Sequence, residues 1–314
     1  MIALHAALIQ ALRRDPDLVY LCTGQPDAFV AEFGADRVRG MPIAENAMLD
    51  YAVGLAAAGL RPVVDIGRAA YLFTAMDPLV NQASKLRYLT GGQFTVPLTV
   101  LARTRGGESL GAQDEHVPYA MLAQVPGLVV AVPGSGVTAA GLLATALTHP
   151  DPVVVLVSPA LLADEPPRTD GDVPALPFGR ANVVRHGDDI TIVAIGLAVR
   201  HAVEAAEQLA RRGVGATVVD VRTVAPLDVA GIAEASAATG AVLVVDEAPA
   251  PCSAASEIVA RLLMVEAVRP AGIRQLNALP VPAPVSPVSR REVFPGPDAI
   301  ERHAIALLDE RPRS

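Results

Sequence analysis

The segment from Gly127 to Ser158, "GLVVAVPGSGVTAAGLLATALTHPDPVVVLVS", decides the fold class of this chain. It contains an apolar run, a turn with glycine and proline, a helix-length run of small residues and a second apolar run. Continuous apolar strands that alternate with helices are typical of a parallel sheet covered on both faces. The segment therefore predicts a β-α-β unit of an α/β fold.

The same alternation continues on both sides of this unit. The predicted elements before it are strands at Asp17–Gly24, Arg61–Ile66 and Val96–Arg103 and helices at 46–60 and Leu72–Thr90. A proline-rich polar stretch, "LLADEPPRTDGDVPALPF" (Leu161–Phe178), interrupts the pattern, and strands and helices resume at Asp189. We therefore predict two doubly wound α/β domains, residues 1–165 and 179–314, joined by a linker at 166–178.

Composition excludes several functional classes. The net charge is −8 and basic residues occur singly or in pairs, so no nucleic-acid footprint is present. The apolar runs end well short of a membrane span, and the N-terminal stretch lacks the basic start of a signal peptide. The two cysteines, Cys22 and Cys252, have no metal-ligand spacing. They predict reduced thiols in a cytoplasmic protein.

A carboxylate stands where the sequence predicts a buried helix. The stretch Met41–Asn46, "MPIAEN", precedes the small, apolar run "AMLDYAVGLAAAGL". A buried anion is costly unless a partner compensates it, so Glu45 needs an explanation. One explanation is a helix-start carboxylate that accepts backbone N–H groups. The other is a functional group that binds a ligand.

Common catalytic and binding motifs are absent from the sequence. It has no Walker loop, no G-x-S-x-G elbow and no histidine pair at zinc spacing. The turn "PGSGVTAAG" (Pro133–Gly141) follows a strand and opens a helix, as a phosphate-binding turn does. Its glycine spacing differs from the dinucleotide pattern, so we interpret it as an ordinary strand–helix turn.

An ordered set of motifs carries a family resemblance over nearly the whole chain. They are "FGADRV", "MPIAENAMLDYAVGLAAAGLRPVVDI", "MDPLVNQASKLRYLTGGQFTVPL", "LGAQ", "VPGLVVAVP", "HPDPVVVL", "GRANVVRHGDDITIVAIG", "VVDVRTVAPLD" and "VVDEAP". With them the chain resembles the beta subunit of the first component of thiamine-diphosphate-dependent 2-oxo acid dehydrogenases, within the transketolase-like group. The resemblance implies a mostly parallel pyrimidine-binding domain followed by a transketolase C-terminal-like domain.

The resemblance assigns a cofactor role to Glu45. In the family, the acid at this position meets a ring nitrogen of the aminopyrimidine of thiamine diphosphate, which promotes formation of the ylid nucleophile. Tyr71 corresponds to an aromatic residue that stacks on the same ring, and Ile43 to an apolar residue that presses on it. For Tyr71 and Ile43, ordinary packing remains the alternative interpretation.

The loop after "LGAQ" departs from the family pattern. The family has a histidine directly after this motif, which works near the reacting carbon, whereas this chain has Asp114 there and His116 two residues later. Either His116 takes the role or the role is lost, and both residues remain catalytic candidates. Asp114 and Glu115 would repel a carboxylate substrate unless Arg103 or Arg105 offsets them.

A missing segment predicts a partner chain. Thiamine-diphosphate enzymes hold Mg²⁺ and the diphosphate through a "GDG…N" segment, which this sequence lacks. The resemblance therefore implies an alpha-type subunit that supplies the Mg²⁺ and diphosphate site in an α₂β₂ complex, with no metal ligand from this chain.

The implied activity is 2-oxo acid decarboxylation with transfer of the acyl or aldehyde unit to an acceptor, with a lipoyl acyltransferase as a further candidate partner. Two alternatives remain. One is half of a split transketolase that acts on ketose phosphates, and the other is a non-catalytic stabilising subunit.

Overall fold

The computed structural model describes residues 2–24, 26–105, 109–163, 173–265 and 272–310. The described residues form two compact units, and each unit is described by itself. The first unit takes its residues from Met1–Arg105, Asp114–Ala131 and Gly136–Phe178, and the second from Gly106–Gln113, Val132–Ser135 and Gly179–Ser314. No helix among the described residues has the length and apolar character needed to cross a membrane.

The first unit is built on a parallel sheet. Its strands are β1 (Leu18–Thr23), β2 (Val38–Met41), β3 (Arg61–Arg68), β4 (Thr99–Arg103), β5 (Val129–Ala131) and β6 (Val153–Val157). They lie in the order β5–β6–β4–β3–β1–β2, and every neighbouring pair is parallel. All five residues of β6 are buried, as expected for a strand covered on both faces. The predicted parallel α/β fold is confirmed.

Helices cover this sheet. They are α1 (Ile2–Arg14), α2 (Asp27–Phe33), α3 (Glu45–Ala57), a 3₁₀ helix (Ala69–Ala75), a π-helical turn (Pro78–Ala83), α4 (Ser84–Leu89), α5 (Tyr119–Ala123), α6 (Gly136–Ala146) and α7 (Pro159–Ala163). Helices α1 and α6 pack together in one core cluster, through residues such as Leu12 and Leu143. Helix α3 packs against β3 and the 3₁₀ helix, and its Met48 and Leu49 side chains are buried.

The predicted helical segment at Leu72–Thr90 is confirmed, but it is not one regular α-helix. The structure has a 3₁₀ helix, a π-helical turn and the short helix α4 in its place. Pro78, at the start of the π-helical turn, has no N–H to donate, so one regular α-helical ladder cannot run through it. Tyr71 lies on the 3₁₀ helix, next to the carboxyl end of β3.

The second unit contains a mixed sheet. Its strands are β7 (Asn182–Arg185), β8 (Ile190–Ala194), β9 (Ala216–Asp220), β10 (Thr223–Ala225), β11 (Ala241–Pro249) and β12 (Gly272–Ala278). Five of them lie in the order β12–β11–β8–β9–β7, and only β7 is antiparallel to its neighbour among them.

Helices lie on both faces of this sheet as well. They are α8 (Ala198–Arg211), α9 (Val229–Ala237), α10 (Ala254–Leu263), α11 (Pro287–Val293) and α12 (Pro297–Asp309). Helices α8 and α12 share one core cluster with Ile192 and Leu243 of the sheet. On the opposite face, the Thr191 hydroxyl donates to the backbone oxygen of Ala235 in α9 at 3.2 Å. The second unit is therefore also doubly wound.

The predicted linker at 166–178 is described only in its last part, because residues 164–172 lie outside the described residues. The described part packs on the first unit. The backbone N–H of Leu176 donates to the oxygen of Gly141 at 3.0 Å, and the Thr145 hydroxyl donates to the Leu176 oxygen at 2.6 Å. The Phe178 ring lies 5.5 Å from the His149 ring, edge to face. These contacts anchor residues 173–178 to the first core.

Candidate functional site

The carboxyl edge of the first sheet brings the predicted site residues into one region. Strand β1 connects to β2 on one side, whereas β3 connects to β4 on the other, so the sheet has a switch point between β1 and β3. Open α/β sheets bind ligands outside the carboxyl ends of the strands at such a point. Glu45 follows β2 by four residues and Tyr71 follows β3 by three. Both therefore lie at this edge.

Glu45 is a half-buried carboxylate at the first position of α3. Within the described part of the chain it makes no hydrogen bond and no ion pair, and the preceding residue, Ala44, provides no side-chain cap. The interpretation as a carboxylate satisfied by backbone N–H groups is therefore not what the structure shows. The expected deep burial is only partly reached in this single chain. The Glu45 carboxylate remains available to a ligand.

Ile43 is an exposed apolar side chain two residues before Glu45. It is 86% exposed, so ordinary core packing, the alternative interpretation, does not apply within this chain. Single exposed apolar residues are common on protein surfaces and prove nothing alone. Beside an uncompensated carboxylate, however, Ile43 adds an apolar surface that a bound group can cover.

The ring of Tyr71 has a fixed position at the end of β3. Its hydroxyl accepts a hydrogen bond from Nη1 of Arg68 at 3.1 Å. The ring lies close to Gly67, where a Cβ atom would lie 3.6 Å from two ring carbons. Gly67 has φ +84°, a backbone conformation that glycine adopts readily and residues with side chains rarely adopt. This turn therefore directs Tyr71 onto the carboxyl edge.

Arg68 joins Tyr71 to the loop that carries the other candidates. Its Nη1 lies 3.2 Å from Oδ2 of Asp114. Partial desolvation lowers the pKa of Arg68, but the bond to Tyr71 and the charge of Asp114 outweigh it, and the pKa is raised overall. The structure thus brings Tyr71 and Asp114 together through one guanidinium group.

His116 reaches the same 3₁₀ helix by a different contact. Its ring is exposed and meets Phe73 edge to face, with 5.2 Å between the ring centroids and an interplanar angle of 84°. Tyr71 and Phe73 lie on one 3₁₀ helix, so Asp114 and His116 both approach it. Helix α3, which starts with Glu45, packs against this 3₁₀ helix. No direct contact links Glu45 to the other candidates among the described residues.

Of the two acids that Arg103 or Arg105 was expected to offset, Asp114 forms its ion pair with a different arginine. Arg68 forms the ion pair with Asp114, whereas Nη1 of Arg103 lies 3.6 Å from Oδ2 of Asp65. Arg105 is almost fully buried. Sequence reasoning missed Arg68 because no motif contains it. The usable signal was an arginine two residues after the predicted strand Arg61–Ile66 and three residues before the candidate Tyr71.

Asp65 stabilises the strand end that positions this arginine. One of its carboxylate oxygens accepts from the N–H of Gly67 at 2.9 Å, and the other accepts from the Tyr20 hydroxyl at 3.3 Å. Burial, together with the charge of Asp65, raises the pKa of the Tyr20 phenol and of the Cys22 thiol. Both groups therefore stay neutral near pH 7, and we assign this cluster a structural role.

Comparisons with known proteins agree with this organisation. Residues 3–164 match the family described as the transketolase pyrimidine binding domain, and residues 179–300 match the transketolase C-terminal domain. A solved split-gene transketolase, described as an inactive beta4 tetramer, matches with a TM-score of 0.81 and 21% identity and covers 99% of both chains. That likeness shows a shared fold.

Proteins with similar sequences indicate which branch of the transketolase-like group this chain belongs to. The beta subunit of acetoin:2,6-dichlorophenolindophenol oxidoreductase from Cupriavidus necator is 33% identical, and the match covers 91% of this chain and 90% of the relative. The 2-oxoisovalerate dehydrogenase subunit beta of Bacillus subtilis is 34% identical over 86% of this chain and 83% of the relative. The chain therefore belongs to the transketolase-like family that includes the beta subunits of the acetoin and 2-oxo acid dehydrogenases.

Proposed function

We propose that this chain is the beta-type subunit of a two-component thiamine-diphosphate-dependent enzyme. The complex decarboxylates a 2-oxo acid and transfers the acyl or aldehyde unit to an acceptor. One observation carries the proposal: the half-buried Glu45 carboxylate has no partner among the described residues, and the apolar Ile43 beside it is exposed. An acid and an apolar surface at the carboxyl edge of a parallel sheet are what an aminopyrimidine ring requires.

The residues present fit the pyrimidine end of the cofactor. With the cofactor bound, the Glu45 carboxylate would meet a ring nitrogen and share a proton with it, and Tyr71 and Ile43 would contact the ring and exclude water from it. When bound, thiamine diphosphate supplies the carbanion-stabilising chemistry, and the protein supplies binding and orientation. A proton-sharing acid works best in a dry environment, because burial favours its neutral form. A partner chain that covers the half-buried Glu45 provides that environment.

For the loop, the contacts support different roles for its two candidates. Asp114 is engaged with Arg68, so we assign it a positioning role. His116 is exposed, and among the described residues its ring contacts the Phe73 ring. We therefore propose that His116 exchanges a proton with the reactants. If His116→Ala leaves turnover unchanged while Asp114→Ala abolishes it, this assignment is reversed.

The quaternary proposal rests on what the sequence lacks. Without a "GDG…N" segment, the Mg²⁺ and diphosphate are held by an alpha-type chain, and the expected assembly is α₂β₂. We propose that residues 1–165 form the pyrimidine-binding domain and residues 179–314 the C-terminal domain. The two free cysteines, Cys22 and Cys252, support a cytoplasmic location, which also remains a proposal.

The relatives favour this function over the split transketolase. The sequence relatives described above are dehydrogenase-type beta subunits at 33% and 34% identity. The transketolase likeness, at 21% identity, is one of fold. Turnover of ketose phosphates by the reconstituted complex, without turnover of 2-oxo acids, would support the transketolase alternative.

Reconstitution tests the proposed function. The purified chain is mixed with its candidate alpha partner, thiamine diphosphate and Mg²⁺, and 2-oxo acid decarboxylation is followed. We expect turnover only when both chains are present, and we expect Glu45→Gln to abolish it. If Glu45→Gln keeps wild-type turnover, the assigned role of this carboxylate is wrong.

A further inference from the structure

The geometry of Arg68 points to a specificity-determining role. We infer that Arg68 selects an anionic 2-oxo acid over a neutral hydroxyketone by binding the substrate carboxylate with guanidinium donors that its internal contacts leave unused. The inference rests on the proposed function, because it assumes that the reacting molecule lies near Tyr71 and Asp114. It deepens that function by naming the charge of the substrate.

Arg68 is held firmly by only part of its guanidinium group. Nη1 makes both of its contacts, to the Tyr71 hydroxyl at 3.1 Å and to Asp114 at 3.2 Å. Among the residues that the structure describes, Nε and Nη2 donate to no acceptor. About a third of the side chain, 32%, is exposed. The group is therefore oriented and still has donors to offer.

The negative charges at this edge mean that a substrate carboxylate needs Arg68 in order to bind there. Arg103 lies opposite Arg68 on the neighbouring strand β4, and it already forms an ion pair with Asp65. Glu45 and Asp114 add negative charge to the same edge. A substrate carboxylate that enters this region meets repulsion unless a cation offers it hydrogen bonds. The planar fork of an arginine suits a carboxylate in geometry and charge.

The experiment compares an anionic and a neutral substrate in the reconstituted two-chain enzyme. The values of kcat/KM are measured for pyruvate and 2-oxoisovalerate, which are anionic, and for acetoin, which is neutral. The variants are Arg68→Met and Arg68→Lys. Arg39→Met is the matched control, since Arg39 also donates to a tyrosine hydroxyl, that of Tyr51, at 2.5 Å. A second readout is the calorimetric binding of oxamate, an unreactive analogue of pyruvate, with thiamine diphosphate affinity measured in parallel.

We expect Arg68→Met to raise the KM of whichever 2-oxo acid the wild-type enzyme uses better by about tenfold to 100-fold, because charge-assisted hydrogen bonds are lost. The Kd for oxamate should rise by the same factor. Turnover of acetoin and the affinity for thiamine diphosphate should change less than about twofold. Arg68→Lys should restore part of the anion affinity, because it keeps the charge without the fork. Arg39→Met should behave as wild type.

Three outcomes would overturn the inference. The first is an equal loss for pyruvate and acetoin in Arg68→Met, which would mean that Arg68 only holds Tyr71 and Asp114. The second is an Arg68→Met variant with unchanged oxamate affinity. The third is a wild-type enzyme that prefers acetoin. Failure of the proposed function gives a different result, in which the wild-type complex binds no thiamine diphosphate and turns over none of the substrates. Even then, the oxamate titration decides whether Arg68 binds a carboxylate.

Discussion

Two acidic residues, Asp246 in the second unit and Glu45 in the first, differ in whether the chain itself supplies their partners. In the second unit, Asp246 is fully buried and accepts the N–H groups of Ala248 at 2.8 Å and Ala255 at 3.0 Å. In the first unit, Glu45 is half-buried and has no partner among the described residues. The two units have the same doubly wound architecture. The difference therefore concerns Glu45 itself, since Asp65 of the first unit has partners within the chain as Asp246 does.

Further acids of the second unit follow the pattern of Asp246. Asp228 caps α9 by accepting from the N–H of Gly231 at 2.9 Å, and it also accepts from Ala181 at 2.9 Å. Buried polar groups that have hydrogen-bond partners stabilise a fold. A buried polar group without a partner lowers the free energy of unfolding, and such groups are expected mainly at functional sites. The comparison shows that the chain itself satisfies Asp246 and Asp228, whereas the Glu45 carboxylate is left for a ligand or another chain.

The largest effect that we expect is the loss of turnover in a Glu45→Gln variant, which tests the Glu45 side of this comparison. Glu45→Gln keeps the size of the side chain and removes the shared proton, so we expect a loss of about 100-fold or more in kcat, the usual scale for an acid–base group. The free energy of unfolding should stay within about 0.5 kcal/mol of wild type, because no described contact is broken. Steady-state kinetics of the reconstituted enzyme and denaturant unfolding of the chain test both statements. A large destabilisation would show that Glu45 has a structural partner.

The converse change in the second unit should affect stability. Asp246→Ala removes the acceptor for two buried N–H groups, and we expect a loss of about 3 kcal/mol in unfolding free energy. Asp246→Asn, the matched control, keeps one carbonyl oxygen and should lose less. Thermal and urea unfolding measure both variants. If Asp246→Ala unfolds like wild type, the claim that Asp246 stabilises the second unit through its buried hydrogen bonds fails.

Tyr71 should matter for cofactor affinity more than for folding. Tyr71→Ala removes a half-buried ring, and the loss of one aromatic stacking contact, about 1 kcal/mol, corresponds to about fivefold weaker thiamine diphosphate binding. Tyr71→Phe keeps the ring and loses only the bond from Arg68, so its affinity should stay near wild type. Calorimetric titration of the reconstituted complex separates the two variants. Equal affinities for the Ala and Phe variants would contradict the assigned contact.

The smallest expected effect concerns Ile43. Ile43→Ala should leave the stability of the isolated chain unchanged, because the side chain is 86% exposed there. In the complex we expect about threefold weaker cofactor binding, as burial of roughly 25 Å² of apolar surface implies. An unfolding transition of the isolated chain that shifts markedly would instead place Ile43 in a packed environment.

Much of the fold could be predicted because its buried strands are continuous apolar runs. β3, β4, β6 and β8 were all expected near their observed positions. The edge strands β2 and β7 were not, since β2 has two exposed residues and no residue of β7 is fully buried. Strand β12, also at an edge, buries only one of its residues. Edge strands carry a weaker apolar signal, and their pairing depends on a neighbour distant in sequence.

The sequence by itself determined the α/β class, the family and the order of the candidate residues, because apolar periodicity and ordered motifs are local properties. Only the tertiary structure decided that Arg68, rather than Arg103 or Arg105, meets Asp114, and that the Glu45 carboxylate has no partner among the described residues. The physical reason is that an ion pair between residues 46 positions apart depends on the end of β3 and the loop at Asp114 meeting in space. No local pattern records that encounter.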